Sequence, residues 1–383
     1  MTAANQTVMA TASSLSVRRS LAMAACWLVI VNLFALLAFN RLNLAPDTAF
    51  SWMALIIDKA VPQSWNLIDL HNRWDSYWYL DIAQNGYYLR GQEDISNVVF
   101  FPLYPLLMRL VAPLFGGNLV LAGWMLSCLF LLLAVALLTR LCEEFHQHLP
   151  PSLPTVFLLV HPAAFFLNAV YTESLFLFLS LATVLWARRQ NFVLAGLCAA
   201  LASATRITGL FLAGVLFIEF VVANGWRALF TRRVWPLALA PLGVIAFFLY
   251  HWIAFGDFFL FLKIEDNFGR DFSFDLEDLT LRTHPALANT IIDFAHTGLA
   301  VFLGLVALWR VRLSYGLYML VSLGVALSTG SALAIPRYSM VLFPIYLIGA
   351  GIRSEVGRGA WLFGSTLLLA LDIIRFVNHY WAN

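Results

Sequence analysis

The chain has 383 residues, of which 61% are hydrophobic and only 11% charged, and its mean hydropathy is +0.81. A soluble domain carries roughly 25% charge and 45–50% apolar residues, so no protein core could hide this surplus. The composition excludes an ordinary soluble protein and takes the bilayer as its solvent. Lys and Arg together number only 23, so nucleic acid is not an expected partner.

The N-terminal stretch is rich in Ser, Thr and Ala, then carries Arg18-Arg19 and an apolar run from Leu21 to Phe39. The run is too long for a signal-peptide core and lacks a small-residue cleavage site, so it reads as an uncleaved first span with a cytoplasmic N-terminus. A helix needs about 20 apolar residues to cross the hydrocarbon. Candidate spans are 21–43, 118–141, 153–169, 172–187, 192–205, 207–223, 234–254, 291–309, 313–330, 336–352 and 359–377. The chain is therefore expected to be an all-α polytopic membrane protein with about eleven transmembrane helices. It forms one integral membrane domain over 1–383, with external loops at 44–117 and 255–290 and an external C-terminus. Arg188-Arg189 and Arg227, Arg232 and Arg233 should share the cytoplasmic side, which demands two short helices between them. Arg140, Arg310, Arg312, Arg353 and Arg358 fit the same map. The membrane would be the plasma membrane of a bacterium or the endoplasmic reticulum of a eukaryote. Cys26, Cys128, Cys142 and Cys198 lie in or beside apolar runs without C-x-x-C spacing, so neither a disulfide nor a zinc site is expected.

The first external loop concentrates aromatic and acidic residues, among them Trp65, Asp69, His71, Arg73, Trp74, Asp75 and Asp81. Residues 76–85 predict a helix stopped by Gly86. The run opened by Phe100-Phe-Pro-Leu-Tyr-Pro105 predicts a helix lying along the interface. Asp75 is a candidate general base at the membrane surface, able to take a proton from an attacking hydroxyl. The competing reading makes it the cap of the helix beginning at Ser76. Asp81 lies about 120° away around that helix, so the two acids do not share a face.

Three further places carry charge at membrane depth. Glu173 sits at the break between two short spans, where a carboxylate is costly and functional by default. Arg206, in Ala204-Thr-Arg-Ile-Thr-Gly209, falls on the side opposite the cytoplasmic arginines, so it should have an anionic partner. A phosphate matches the guanidinium fork; pairing with Glu173 is the competing reading. Arg337, in Ile335-Pro-Arg-Tyr338, starts a late span on the same side and reads the same way. Asn168 and His161 suit hydrogen bonds between helices. Together these breaks imply a polar cavity open to the outer leaflet.

The runs Arg73-Trp-Asp-Ser-Tyr-Trp-Tyr-Leu-Asp-Ile-Ala-Gln-Asn-Gly-Tyr87, Phe100-Phe-Pro-Leu-Tyr-Pro105, Tyr171-Thr-Glu-Ser-Leu-Phe176 and Thr205-Arg-Ile-Thr-Gly209 resemble, in order, the PIG-V mannosyltransferase family. That family belongs to the membrane glycosyltransferases of the C superfamily. The resemblance is strongest over residues 70–210 and extends to Pro336-Arg337-Tyr338. It implies a polyprenyl- or dolichyl-phosphate sugar as donor, most often mannose, and inversion at the anomeric carbon. It also implies a lipid or glycan acceptor on the external or luminal side, and a catalytic acid in the first external loop, here Asp75. Eukaryotic members act on the glycosylphosphatidylinositol precursor. Arg206 and Arg337 would bind the donor phosphate. Arg73, Trp74, Asp81, Tyr104, Asn168, Tyr171 and Glu173 are the further candidates for substrate contact. No His/Asp cluster demands a metal, and a lipid-monophosphate leaving group needs one less than a nucleotide diphosphate would, so no cofactor is expected. The alternatives are a membrane transporter or lipid-linked oligosaccharide flippase, and a non-catalytic assembly subunit. A transporter usually repeats its spans, whereas the aromatic-acidic loop occurs once.

Overall fold

The computed structural model describes residues 3–39, 67–91, 94–268, 287–328 and 334–380. Residues 44–66 and 269–286 of the two expected loops, and Trp65 with them, lie outside the described residues. Those that are described form helices and turns without a strand. Helix α1 (Ala3–Ala38) starts well before the expected span and is apolar enough to cross a membrane from Ser14 onward. Val29, Ile30, Leu33 and Leu37 stand exposed on it, a surface that only lipid makes tolerable. Helix α2 (Ser76–Asn85) stops where expected, at Gly86 with φ +82°. Helix α3 (Leu103–Val111) buries Tyr104, Pro105 and Met108 and exposes Leu106 and Leu110, with Leu114 just beyond. That i, i+4, i+8 apolar stripe suits a helix resting on lipid.

Then follow α4 (Leu119–Phe145), α5 (Leu153–Leu159), α6 (Glu173–Arg188), α7 (Phe192–Ser203), α8 (Leu212–Asn224), α9 (Leu242–Phe255) and α10 (Leu260–Asn267). The last five are α11 (Leu287–Val306), α12 (Leu313–Leu327), α13 (Ile335–Met340), α14 (Pro344–Ala350) and α15 (Glu355–Val377). Among the described residues, five helices are long and apolar enough to span a membrane. A sixth span arises if Arg232–Leu239 and α9, bent by 56°, count as one. The remaining expected spans are shorter or broken. The stretch 153–169 is not one helix. Helix α5 ends at Leu159, ahead of Pro162, and a separate 3-10 turn covers Ala164–Asn168. The stretch 336–352 divides at Pro344 in the same way. Both broken stretches are almost wholly buried, which is where non-helical backbone survives at depth.

Helix α6 is the axis of the fold. It is apolar on nearly every side, so it is buried nearly all round and packs chiefly on α4 and α7. It is roughly 24 Å long. At its C-terminal end Glu219 of α8 takes the Arg312 guanidinium through both carboxylate oxygens, at 2.5 and 2.6 Å, with Arg188 at 3.9 Å. Beside them Arg189 pairs with Glu144. Arginines expected on the cytoplasmic side thus gather at one end of α6. At the other end stand Glu173, Arg206 and Arg337.

Candidate functional site

The segment between α1 and α4 is latched to the α6 entrance by backbone bonds. The Val170 amide donates to the His71 carbonyl at 3.1 Å, and the Leu103 amide donates to the Ala204 carbonyl at 3.1 Å. The second bond ties the Phe100–Pro105 motif to the break that carries Arg206. That break is tight. A Cβ on Gly209 would stand 2.4 Å from the carbonyl carbon and oxygen of Ala202, so the chain reverses there only because residue 209 has no side chain.

One phenol fixes the position of Asp75. The Tyr171 hydroxyl donates to the Arg73 carbonyl at 2.9 Å and accepts from the Asp75 amide at 3.1 Å. It clasps the backbone on both sides of Trp74, whose φ of +55° is a strained, left-handed value for so bulky a side chain. Asp75 occupies the N-cap position of α2, yet its side chain makes no capping hydrogen bond. The cap reading fails, because the carboxylate turns away from the helix to another partner.

That partner is Arg337. Its Nη1 donates to Asp75 Oδ2 at 2.7 Å, and its Nε lies 3.6 Å from Glu173 Oε1. The same Glu173 oxygen accepts from Arg206 Nη1 at 2.6 Å, and Arg206 Nη1 also reaches the Thr172 hydroxyl at 3.2 Å. Two acids and two bases thus alternate in one chain, Asp75–Arg337–Glu173–Arg206. The Tyr338 ring lies 5.3 Å from the Arg206 guanidinium carbon and 5.4 Å from that of Arg337, within cation–π range of both. Glu173 is 1% exposed and Asp75 23%, so the inner acid fastens the arginines while the outer one faces open space.

That space is a cavity of about 320 Å³. Asp75, Arg206 and Arg337 all line it, together with Tyr79, Phe100, Thr205, Thr208, Glu265 and Tyr338. The expected shared cavity is present. The anion between the two arginines, however, is first of all Glu173, the competing reading for Arg206.

Several other candidates are placed elsewhere. Asp81 is taken up by Asn85 at 2.8 Å and Asn97 at 2.9 Å, which pins α2 to the following turn. Asn168 accepts from the Trp124 indole at 3.0 Å and pairs with Asn32, joining α1, α4 and the 3-10 turn as interhelical glue. Tyr104 bonds the Gly123 carbonyl and Ser127 inside the bundle. Arg73 is buried against the carbonyls of Asp69 and Asn72. Trp74 is buried under the strained turn. None of these five lines the cavity. The sequence reading missed Tyr79, Thr172, Tyr338 and Glu265. Thr172 and Tyr338 adjoin singled-out residues in their motifs, but nothing in the sequence marks Glu265. Among the described residues, no group of three His, Cys, Asp or Glu could hold a metal ion.

Residues 20–262 match the family described as mannosyltransferase (PIG-V). GPI alpha-1,6-mannosyltransferase 2 of Cricetulus griseus is 31% identical over 208 residues, which cover 49% of this chain and 41% of that protein. The Mus musculus protein of the same name is 32% identical over 155 residues, 38% of this chain and 30% of that one. The matches thus span less than half of these relatives' length. Among solved structures, ArnT from Cupriavidus metallidurans, bound to undecaprenyl phosphate, superposes with TM-score 0.53 at 14% identity, covering 92% of this chain and 64% of that one. At that identity the likeness speaks for the fold, a polytopic all-helical membrane architecture. With well over half of its length matching the family pattern, this chain belongs to the PIG-V mannosyltransferase family.

Proposed function

We propose that the chain transfers a hexose, most simply mannose, from a polyprenyl-phosphate donor to a hydroxyl of a lipid or glycan acceptor on the external or luminal side of the membrane. The observation that carries this reading is that Asp75 and the two arginines line one cavity. The relatives' name supplies mannose, and the undecaprenyl phosphate bound to ArnT supplies the type of lipid phosphate.

The charges suggest how the step balances. Asp75 takes the proton of the acceptor hydroxyl, whose oxygen attacks the anomeric carbon. The bond from that carbon to the donor phosphate oxygen breaks with its electron pair, and attack from the opposite face inverts the centre. The donor is a singly charged diester and leaves as a monoester with nearly two charges. As Asp75 becomes neutral, Arg337 loses a counter-charge at the moment the phosphate gains one. Arg337 can then serve the leaving group without any net change of charge in the cavity, which is the stabilisation a low-dielectric site rewards. Glu173 keeps Arg206 and Arg337 in register throughout. The phosphate charge is met by guanidinium groups, so the reaction proceeds without a divalent cation.

The test uses membranes carrying the chain or its Asp75→Asn variant, supplied with radiolabelled polyprenyl-phosphate mannose. Label should move to a lipid, glycan or protein acceptor with the native chain, in the presence of EDTA as in its absence, and not with the variant. Equal labelling in both preparations overturns the reading.

A further inference from the structure

Tyr79 lies one helical turn after Asp75, and its amide donates to the Asp75 carbonyl at 3.4 Å. Asp75 itself has helical backbone angles, φ −59° and ψ −18°. Residues four apart on a helix share a face, so the two side chains leave α2 on the same side. Both line the cavity. The Tyr79 ring packs edge-to-face on Phe100, Tyr104 and Tyr171, with centroids 5.4, 5.6 and 6.2 Å apart.

The three packed tyrosines differ in one respect. Tyr104 bonds the Gly123 carbonyl and Ser127, and Tyr171 clasps the backbone at Arg73 and Asp75. The Tyr79 hydroxyl forms no hydrogen bond among the described residues, although the residue is only 7% exposed. A buried tyrosine hydroxyl usually has a partner, and packing does not explain one without, since phenylalanine would fill the same space. The charges that act on this hydroxyl are those of Glu173, Asp75, Arg206 and Arg337, the same four that alternate along the cavity. Burial, then the two carboxylates, raises its pKa above the ordinary tyrosine value against the pull of the arginines. It stays a neutral O–H donor.

Both guanidinium groups already hold a carboxylate. The phenol has no counter-ion, so it can turn to an entering anion without leaving a buried charge unpaired. A phosphate diester offers acceptor oxygens and no proton, which suits a donor of this kind. Thr205, on the same cavity, already directs its hydroxyl to the Leu201 carbonyl at 2.8 Å.

Resting on the proposed transferase reading, we infer that Tyr79 is a further catalytic residue, whose hydroxyl donates a hydrogen bond to the phosphate of the polyprenyl-phosphate donor beside Arg206 and Arg337. The phenol keeps its proton throughout. Asp75 takes the proton of the acceptor, and the electron pair of the broken sugar–phosphate bond stays on the phosphate. The hydrogen bond tightens as the phosphate passes from one negative charge to nearly two, so it favours the transition state over the ground state.

The experiment uses Tyr79→Phe, which keeps the ring and removes only the hydroxyl. With polyprenyl-phosphate mannose as donor, kcat should fall about tenfold or more, the loss of one hydrogen bond to a charged group. Bare polyprenyl phosphate carries the fully developed charge and should inhibit the variant about tenfold less well. The unfolding temperature in detergent, without ligand, should match that of the native enzyme. Placing 3-fluorotyrosine at position 79, which restores the hydroxyl, should restore both turnover and inhibition. Unchanged inhibition by bare polyprenyl phosphate in Tyr79→Phe, whatever its turnover, overturns the phosphate contact and leaves the transferase reading intact. A lowered unfolding temperature that 3-fluorotyrosine restores without restoring inhibition makes the hydroxyl structural and overturns it too. If the native enzyme neither binds nor uses any polyprenyl-phosphate sugar, the transferase reading itself fails and this inference with it.

Discussion

Arg337 and Asp75 are separated by 262 positions in sequence, yet a guanidinium nitrogen of one lies 2.7 Å from a carboxylate oxygen of the other. This contact closes the site. It joins the start of α2 to the late α13 segment, and it holds the candidate base against one of two cations in a cavity.

Asp75→Asn should lower turnover by about 10²–10⁴-fold, the usual contribution of a general base. The fold should persist, because the side chain makes no capping bond and Asn still offers an oxygen to Arg337. Turnover measured beside thermal unfolding in detergent checks this. Retained activity would send the search for the base to Glu265, the other carboxylate that lines the cavity.

Arg206→Lys should lower turnover at least tenfold with little loss of stability, since a cation remains for Glu173 but the planar fork is gone. Arg206→Ala should nearly abolish turnover and should also leave the buried Glu173 carboxylate short of a partner, a loss of about 3–5 kcal/mol. Adding Glu173→Gln to Arg206→Ala should restore much of the stability and none of the activity. If the double variant regains turnover, Arg206 serves only Glu173 and the phosphate role is wrong.

Tyr171→Phe removes the hydroxyl that clasps the backbone either side of Trp74. The hydrogen bonds themselves are worth roughly 1 kcal/mol each, so the protein should still fold. The left-handed Trp74 conformation costs about 1–3 kcal/mol and loses its tether, so Asp75 should drift from Arg337. We expect kcat to fall roughly tenfold or more while donor KM stays within a factor of about three, because Tyr171 positions the base and not the phosphate site. A fall in donor affinity alone would contradict that assignment.

His71 supplies a pH prediction. It is buried just ahead of α2, edge-on to Trp124 with ring centroids 4.2 Å apart, and neither ring nitrogen has a hydrogen-bond partner. Burial, with Arg73 nearby, pushes its pKa down to about 3. The folded protein therefore holds it neutral while the unfolded chain protonates near 6.5. Its contribution is present above about pH 6.5 and is lost progressively as pH falls toward about 3, at up to about 1.4 kcal/mol per pH unit. Thermal unfolding at pH 7 and pH 5 should show a difference of roughly 2 kcal/mol that His71→Phe reduces. An unaltered pH dependence in the variant would assign the effect to other groups.

What the sequence determined by itself follows from composition and from local rules. The apolar surplus dictated a membrane protein, Gly86 ended α2, and the break in 192–223 was legible from arginines that had to share a side. A carboxylate at membrane depth marked Glu173, because ionised groups there are costly, and departure from the positive-inside bias marked Arg206 and Arg337. The tertiary structure decided what each charge meets. Capping and catalysis ask for the same residue at position 75, and only the approach of Arg337 from a distant helix shows that the carboxylate turns away from the cap. Asp81 and Asn168 stood beside Glu173 among the candidates for substrate contact because polarity in a sequence does not say whether a neighbour satisfies it. Glu265 was silent for the same reason. Its short helix carries an ordinary polar pattern, and only packing against the 94–101 segment brings that carboxylate to the cavity. Local propensity and transfer energy are properties of a residue and its sequence neighbours, whereas the pairing of charges is a property of the folded arrangement.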